Sequence, residues 1–115
     1  MFDKLFDEIK KSNPELLMIG VWGKDGLELE RRIWNSLELD LELLGAQLAD
    51  VVAKMDGVRL FSGQYDLEYV TNRLKVLVVS LSPQYFLLAV AGEALISGKL
   101  KFYLNLNKKS LLALL

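Results

Sequence analysis

Residues 16–32 read LLMIGVWGKDGLELERR, and this stretch contains the pattern that decides the fold. Residues 16–22 form an unbroken apolar run, which is typical of a central strand covered on both faces. The pair Asp25-Gly26 follows, and it accepts the positive φ of a tight hairpin turn at little cost. Residues 27–32 then alternate leucine with charged side chains, which predicts a returning strand with one wet face at the edge of a sheet.

A short amphipathic helix is predicted before this hairpin, over Phe2–Lys11. Its apolar residues recur at intervals of three and four, the spacing of a helix with one buried side. These residues are Phe2, Leu5, Phe6 and Ile9. Pro14 disfavours helical geometry at the residue before it, so the chain leaves this helix in an extended conformation.

A long helix is predicted after the hairpin, because helical spacing runs from Ser36 to Met55. Ser36 or Asp40 is the expected N-cap, and Gly57 is the expected end. Six apolar residues form a stripe about 100° wide that would face the sheet. They are Leu41, Leu44, Leu48, Val51, Val52 and Met55.

The second half of the chain is predicted to contain three strands and a helix. A strand over Leu67–Asn72 is followed by two more apolar ones, Leu74–Leu81 and Tyr85–Ala91, which a tight turn joins. Alternating apolar residues in 97–107 (Leu100, Phe102, Leu104 and Leu106) also fit a strand, but the helical spacing of the leucines leads us to predict a helix over Ser97–Leu115. The order α-β-β-α-β-β-β-α, with its short hairpin turns, predicts an α/β (α+β) domain with a mainly antiparallel sheet.

The composition limits what this chain can do. Its 115 residues suffice for a single domain, 1–115, with a real core. A net charge of −1 provides no field that would attract nucleic acid or an anionic membrane. Cysteine and histidine are absent, which removes the thiolate nucleophile and the commonest general base and metal ligand. We therefore expect no enzyme, no catalytic, cofactor-binding or metal-binding residue, and no cofactor.

From the hydropathy of the sequence we expect a cytoplasmic protein. The longest apolar runs are strand-length, far short of the ~20 residues of a spanning helix. Acidic residues interrupt the N-terminal apolar positions, so no signal peptide is predicted. Hydrophobic residues make up 52% of the chain, and this excess fits either a sheet covered on both faces or apolar surface reserved for a partner.

Small residues on the long helix point to a self-pairing face. Gly45, Ala49 and Ala53 fall in one row at intervals of four, which would let a second helix backbone approach closely. Helix propensity alone explains alanine, but a mid-helix glycine costs about 1 kcal/mol relative to alanine. Residues opposite the core stripe would widen this surface, and they are Leu39, Leu43, Ala46 and Asp50.

Two further places are candidates for protein contact. The strand Leu67–Asn72 is a candidate pairing edge through Tyr69 and Thr71, although its flanking charges would also suffice to guard a solvent-exposed edge. Aromatic anchors dominate interface energies, so either tryptophan could meet a partner. Trp22 extends the central strand and is expected in the core, whereas Trp34 follows the edge strand and is a candidate partner contact.

The sequence resembles the Roadblock/dynein light chain family over nearly the whole chain. The most diagnostic segment is Ile19–Leu27, in which an apolar strand runs into Lys24-Asp25-Gly26. The other matching segments are the helices Phe2–Lys11 and Leu39–Met55, the strands Leu74–Leu81 and Tyr85–Ala91, and GKLKFYL at residues 98–104. The long loop after Met55 and the pair Trp34-Asn35 depart from the family pattern.

The resemblance implies a specific architecture and function. The implied sheet has five antiparallel strands, with the long helix on one face and the two terminal helices on the other. Family members pair through that long helix and a neighbouring edge strand. The prokaryotic-type members, which this chain resembles, are partners of small Ras-like GTPases in gliding motility.

We therefore expect a homodimeric protein-binding platform that engages and regulates a small Ras-like GTPase. The alternative is a structural light subunit of a larger complex, similar to a dynein light chain, with no nucleotide-dependent role. A small-molecule sensor or enzyme is disfavoured by the missing histidine, cysteine and phosphate loop. No nucleic acid and no membrane insertion are expected.

Overall fold

The computed structural model describes residues 2–35, 38–58 and 65–115. Its elements are α1 (Asp3–Ser12), β1 (Leu16–Gly23), β2 (Glu28–Ile33), α2 (Leu41–Asp56), β3 (Asp66–Val70), β4 (Leu74–Ser80), β5 (Tyr85–Gly92), α3 (Ser97–Leu106) and α4 (Lys108–Ala113). The predicted order is confirmed, and the C-terminal segment is helical. It forms two helices that meet at Asn107.

The five strands form one antiparallel sheet in the order β2-β1-β5-β4-β3. β1 lies between β2 and β5, and seven of its eight residues are buried. This confirms the prediction of a strand covered on both faces. β2 and β3 form the two edges of the sheet, so the predicted edge position of β2 is also confirmed.

Helices cover both faces of the sheet and divide the core into two layers. On one face, which we call the α1/α3 face, side chains of α1, α3 and α4 pack against β1, β4 and β5. On the other, the α2 face, α2 packs alone over Met18, Trp22, Val78, Phe86 and Leu88. Among the described residues, none of the helices combines the length and apolar character needed to cross a membrane.

Short-range chemistry explains where the first hairpin turns and where α2 begins. Gly26 adopts φ +94°, and Asp25 Oδ1 accepts a hydrogen bond from Leu27 N at 3.0 Å. Asp40 is extended, and its Oδ1 accepts a hydrogen bond from Leu43 N at 3.1 Å, so this residue is the N-cap. The alternative cap, Ser36, lies outside the described residues.

β3 is shorter than predicted, because Thr71 belongs to the turn that follows it. Thr71 N donates to Leu74 O at 2.9 Å, and Thr71 Oγ1 accepts from Leu74 N at 2.9 Å. A side chain that closes a turn in this way ends the strand at Val70. The predicted extent of this strand, Leu67–Asn72, is thereby corrected, and the role of Thr71 in pairing stays a prediction.

Candidate protein-binding surface

The inner side of α2 rests on the indole of Trp22, which is almost fully buried. A Cβ added to Gly45 would lie 2.8 Å from Trp22 Cδ1 and closer still to Nε1. Ala49 is buried on the same side. These two residues therefore face their own sheet. The expectation that Gly45 and Ala49 make room for a partner helix is corrected. Their small size instead makes room for the Trp22 indole of β1, which lies between α2 and the sheet.

The orientation of α2 differs from the prediction for the same reason. Three of the six predicted stripe residues are only half-buried, namely Leu44, Val51 and Met55. The indole occupies so much space that the smallest residues of α2, not the largest, must lie above it. The signal in the sequence was the combination of a tryptophan on a buried strand with a glycine inside the helix that covers it.

The outer side of α2 faces away from its own sheet. Leu43 is 53% exposed, and Ala46, Gln47, Asp50 and Ala53 are exposed around it. Glu42 is in the first turn and Lys54 in the last, so the two ends of this side have opposite charge. Leu39 is also exposed, but it precedes the helix.

The edge strand β3 has an open outer edge, and one of its two sides is on the α2 face. Ser80 N donates to Tyr65 O at 3.0 Å and Thr71 N donates to Leu74 O at 2.9 Å. Since hydrogen-bonded pairs alternate along an antiparallel ladder, residues 66, 68 and 70 direct their backbone groups away from β4. Tyr69 is 45% exposed and, with period two, shares the face of Leu67, which packs in the α2 layer.

Trp34 is only partly available to a partner. Its backbone N–H donates to Leu17 O at 2.9 Å, which prolongs the pairing of β1 with β2. The half-buried indole packs against the α1/α3 core, and Lys10 Nζ lies 5.5 Å from the ring centroid. Trp22 is in the core, as predicted, and the role of Trp34 as a partner contact stays a prediction.

A polar cluster that sequence reasoning missed connects four elements at one end of the α2 face. Lys24 Nζ lies 2.9 Å from Asp56 Oδ2 and 2.9 Å from Ser80 Oγ. Tyr65 OH donates to Asp56 Oδ1 at 2.9 Å. Burial and the hydrogen bond to Asp56 raise the pKa of the Tyr65 hydroxyl well above its ordinary value. The partners are 32 and 56 residues from Lys24, so no local pattern could reveal them.

A shallow depression of about 470 Å³ lies beside the first hairpin turn, between residues 23–29 and 83–85. Two of its polar side chains are engaged within the chain. Lys24 binds Asp56, and Asp25 accepts the N–H of Leu27. These groups stabilise the turn. Within the described part of the chain, no three acidic side chains converge as metal ligands would.

We compared this chain with known proteins by sequence and by structure. No protein-family model matches the sequence, and no curated protein matches it significantly. Solved structures do match. The gliding protein MglB of Thermus thermophilus gives a TM-score of 0.80 at 16% identity, covering 95% of this chain and 84% of that one. A structure described as MglB with a tetrameric arrangement gives 0.80 at 16% identity, with 95% and 83% covered.

A Roadblock/LC7 domain from Streptomyces avermitilis matches with a TM-score of 0.72 at 16% identity, covering 90% of this chain and 88% of that domain. At such low identities the likeness concerns the fold alone. The helices also lie where the resemblance implied, with the long helix on one face and the terminal helices on the other. The resemblance noted in the sequence is confirmed at this level, and the chain has the Roadblock/LC7 fold.

Proposed function

We propose that this protein is a homodimeric binding platform that engages and regulates a small Ras-like GTPase. One observation carries the proposal: α2 and one side of the edge strand β3 lie on the same face of the sheet. Both expose apolar side chains, Leu43 on α2 and Tyr69 on β3. The structural likeness to MglB, including its tetrameric arrangement, supports a self-associating role.

The charges of α2 favour an antiparallel pairing of two copies. In a two-fold dimer the first turn of one α2 would lie opposite the last turn of the other. Glu42 of one copy would then approach Lys54 of its mate, while the small residues Ala46 and Ala53 allow a close crossing. The two β3 edges would pair in the same dimer and join the sheets into one.

The platform would act on the GTPase by positioning, with no catalytic group of its own. Repositioning the switch loops of a GTPase suffices to change its nucleotide cycle. Trp34 is the proposed contact outside the dimer surface, since its indole is half-buried at the end of β2. The proposal places the protein in the cytoplasm, together with its GTPase.

The second candidate is a structural light subunit of a larger complex, and a specific observation favours it. Phe102 and Leu106 on α3 are 65% and 66% exposed, and they are four residues apart, so they share one side of the helix. This side is on the α1/α3 face, away from the proposed dimer surface. A lasting contact there with another protein requires no nucleotide.

Two experiments test the proposal: a measurement of the mass in solution comes first, and a nucleotide-dependent pull-down follows. Sedimentation equilibrium should give a dimer at micromolar concentration, and a monomer would refute the platform. The immobilised dimer is then offered a small Ras-like GTPase of the same organism, loaded with GDP or with a non-hydrolysable GTP analogue. Preference for the GTP form supports the platform, whereas equal capture of both forms supports the structural subunit.

A further inference from the structure

We infer that Lys24, Asp56 and Tyr65 are positioning residues that hold the C-terminal end of α2 against the start of β3. We call this group, with Ser80, the Lys24 clasp. The inference rests on the pairing surface proposed above, because it concerns how the two parts of that surface are held relative to each other. It assigns a role to Lys24, which the sequence pattern indicates only as part of a turn.

The clasp joins the elements whose relative position matters for pairing, and its geometry is tight. Asp56 is the last residue of α2, Tyr65 directly precedes β3, and Ser80 ends β4. The ammonium group of Lys24 contacts Asp56 Oδ2 and Ser80 Oγ, each at 2.9 Å. The other oxygen of Asp56 accepts the Tyr65 hydroxyl at 2.9 Å. One carboxylate therefore connects the helix both to the hairpin turn and to the edge strand.

The composition of the clasp is poorly explained by stability alone. A carboxylate at the C-terminus of a helix opposes the helix dipole, so Asp56 is unfavourable there until a cation compensates it. The Lys24 side chain is only 11% exposed, and withdrawing an ammonium group from water costs free energy. Apolar side chains could fill this space with similar or greater stability. Directional hydrogen bonds, unlike apolar contacts, fix a position, which suits a group that orients α2.

The consequence is a link between an internal contact and self-association. Pairing through a helix and a strand at the same time requires that both have the correct relative position in each copy. Residues 57–58 and 65 flank the segment that connects α2 to β3, and the clasp bridges these flanks through space. Without it the end of α2 can shift against the β3 edge, and each copy must be ordered before it pairs.

The test compares the double variant Lys24→Met/Asp56→Asn with the wild type. This change removes both charges together, so that no unpaired ion remains. We expect the dimer dissociation constant to rise about tenfold, and about threefold for Tyr65→Phe, which removes only the hydroxyl. The matched control is Lys10→Met, which also removes the hydrogen bond of a lysine ammonium group, here to the backbone carbonyl of Leu16 at 2.7 Å and on the α1/α3 face. It should leave the dissociation constant unchanged.

A second measurement separates positioning from stability. The chain has no cysteine, so spin labels can be placed at Val58→Cys, just beyond the end of α2, and at Arg73→Cys, in the turn after β3, two exposed positions outside the proposed pairing surface. Labelled protein is diluted into an excess of unlabelled protein, so that each dimer carries labels on one copy only. The distance distribution between the labels should broaden in the double variant, while urea unfolding of the monomer, measured below the dissociation constant, changes little.

The outcomes are distinguishable. If the double variant pairs like the wild type with an equally narrow distance distribution, the clasp is not a positioning group, and the pairing surface itself stands. Weaker pairing with an unchanged distance distribution would also overturn the inference, because the loss would then come from elsewhere. If the wild type is a monomer, the proposed pairing surface fails, and the inference fails with it.

Discussion

β2 and β3 are the two edge strands of one sheet, but they differ in the regularity of their pairing. β2 contains a bulge, because Val21 pairs with Glu30 and Trp22 with Glu28, which makes Leu29 the extra residue. β3 pairs with β4 in an unbroken register from residue 66 to residue 70. An irregular strand is a poor template for another strand, whereas a regular one is a good template.

Charge does not separate the two edges. Arg32 on β2 reaches Asp3 of α1 at 3.4 Å, and Asp66 on β3 reaches Lys101 of α3 at 3.4 Å, so each edge strand has an ion pair to a helix of its own chain. Each also exposes apolar side chains, such as Leu29 on β2 and Val70 on β3. The regular register of β3 is therefore the feature that makes it the edge better suited to pairing. The predictions below test that asymmetry.

The largest effect is expected from a proline at the outward position of β3. The N–H of Glu68 points away from β4, so Glu68→Pro removes a bond to a partner strand while preserving the internal ladder. Two copies of the change meet in a symmetric dimer. We expect the dimer dissociation constant, measured by sedimentation equilibrium, to rise about 100-fold, equivalent to about 2.7 kcal/mol.

The matched control is Arg31→Pro, at an outward position of β2 that follows from the bond between Trp34 N and Leu17 O. Both prolines should cost the monomer a similar amount of stability. Self-association should survive the change on β2. Equal loss of pairing for both variants would show that the asymmetry of the two edges has no bearing on assembly.

A second prediction concerns the helix beside the β3 edge. Gly45→Ala should improve helix propensity by about 1 kcal/mol, but the added methyl group would overlap the Trp22 indole. We expect a net loss of about 2 kcal/mol in the free energy of unfolding of the monomer. Urea unfolding checks this. If the variant is more stable than the wild type, Gly45 does not pack tightly against Trp22, and the expectation of a partner contact at Gly45 is favoured.

A third, smaller effect is expected on the outer side of α2. Leu43→Glu removes an exposed apolar group and places a carboxylate in the first turn, where the helix dipole favours it. The monomer should keep its stability, while the dimer dissociation constant rises about tenfold. Leu29→Glu on β2, where leucine is similarly exposed, is the control and should leave dimerisation unchanged.

The smallest effect is a pH dependence at the start of β3. The pKa of Tyr65 is raised in the folded chain, whereas in the unfolded chain it takes its ordinary value of 10.0. The unfolded state therefore loses this proton first, and the stabilisation, complete below pH 10, is lost as pH rises above it. Chemical unfolding at increasing pH should show a steeper decline for the wild type than for Tyr65→Phe. Identical slopes would contradict the raised pKa.

Much of the architecture could be predicted from periodicity, because each strand of the core contains a run of apolar residues, and the β1–β2 turn contains aspartate and glycine while the β4–β5 turn contains proline. The edge position of β2 followed from its alternating charges. The extent of β3 did not, since Thr71 has high strand propensity and only its hydrogen bonds to Leu74 show that it closes a turn.

The binding surface was predictable only in part. Leu43 and Asp50 lie on the outer side of α2 as expected, because they are opposite the leucines of the core stripe. Gly45 and Ala49 do not, because helix orientation depends on the volume of Trp22 in a distant strand. The Lys24 clasp joins residues up to 56 positions apart, so only the folded chain brings them together.

The two tryptophans lie in different layers of the molecule, and this gives the protein a natural pair of optical reporters. Trp22 is enclosed beneath α2, whereas Trp34 is half-open beneath a lysine on the opposite layer. Emission from the first should respond to displacement of α2, and emission from the second to an approaching ligand protein. Variants that retain one indole each would therefore let loosening of the helix and capture of a partner be followed separately, without an added dye.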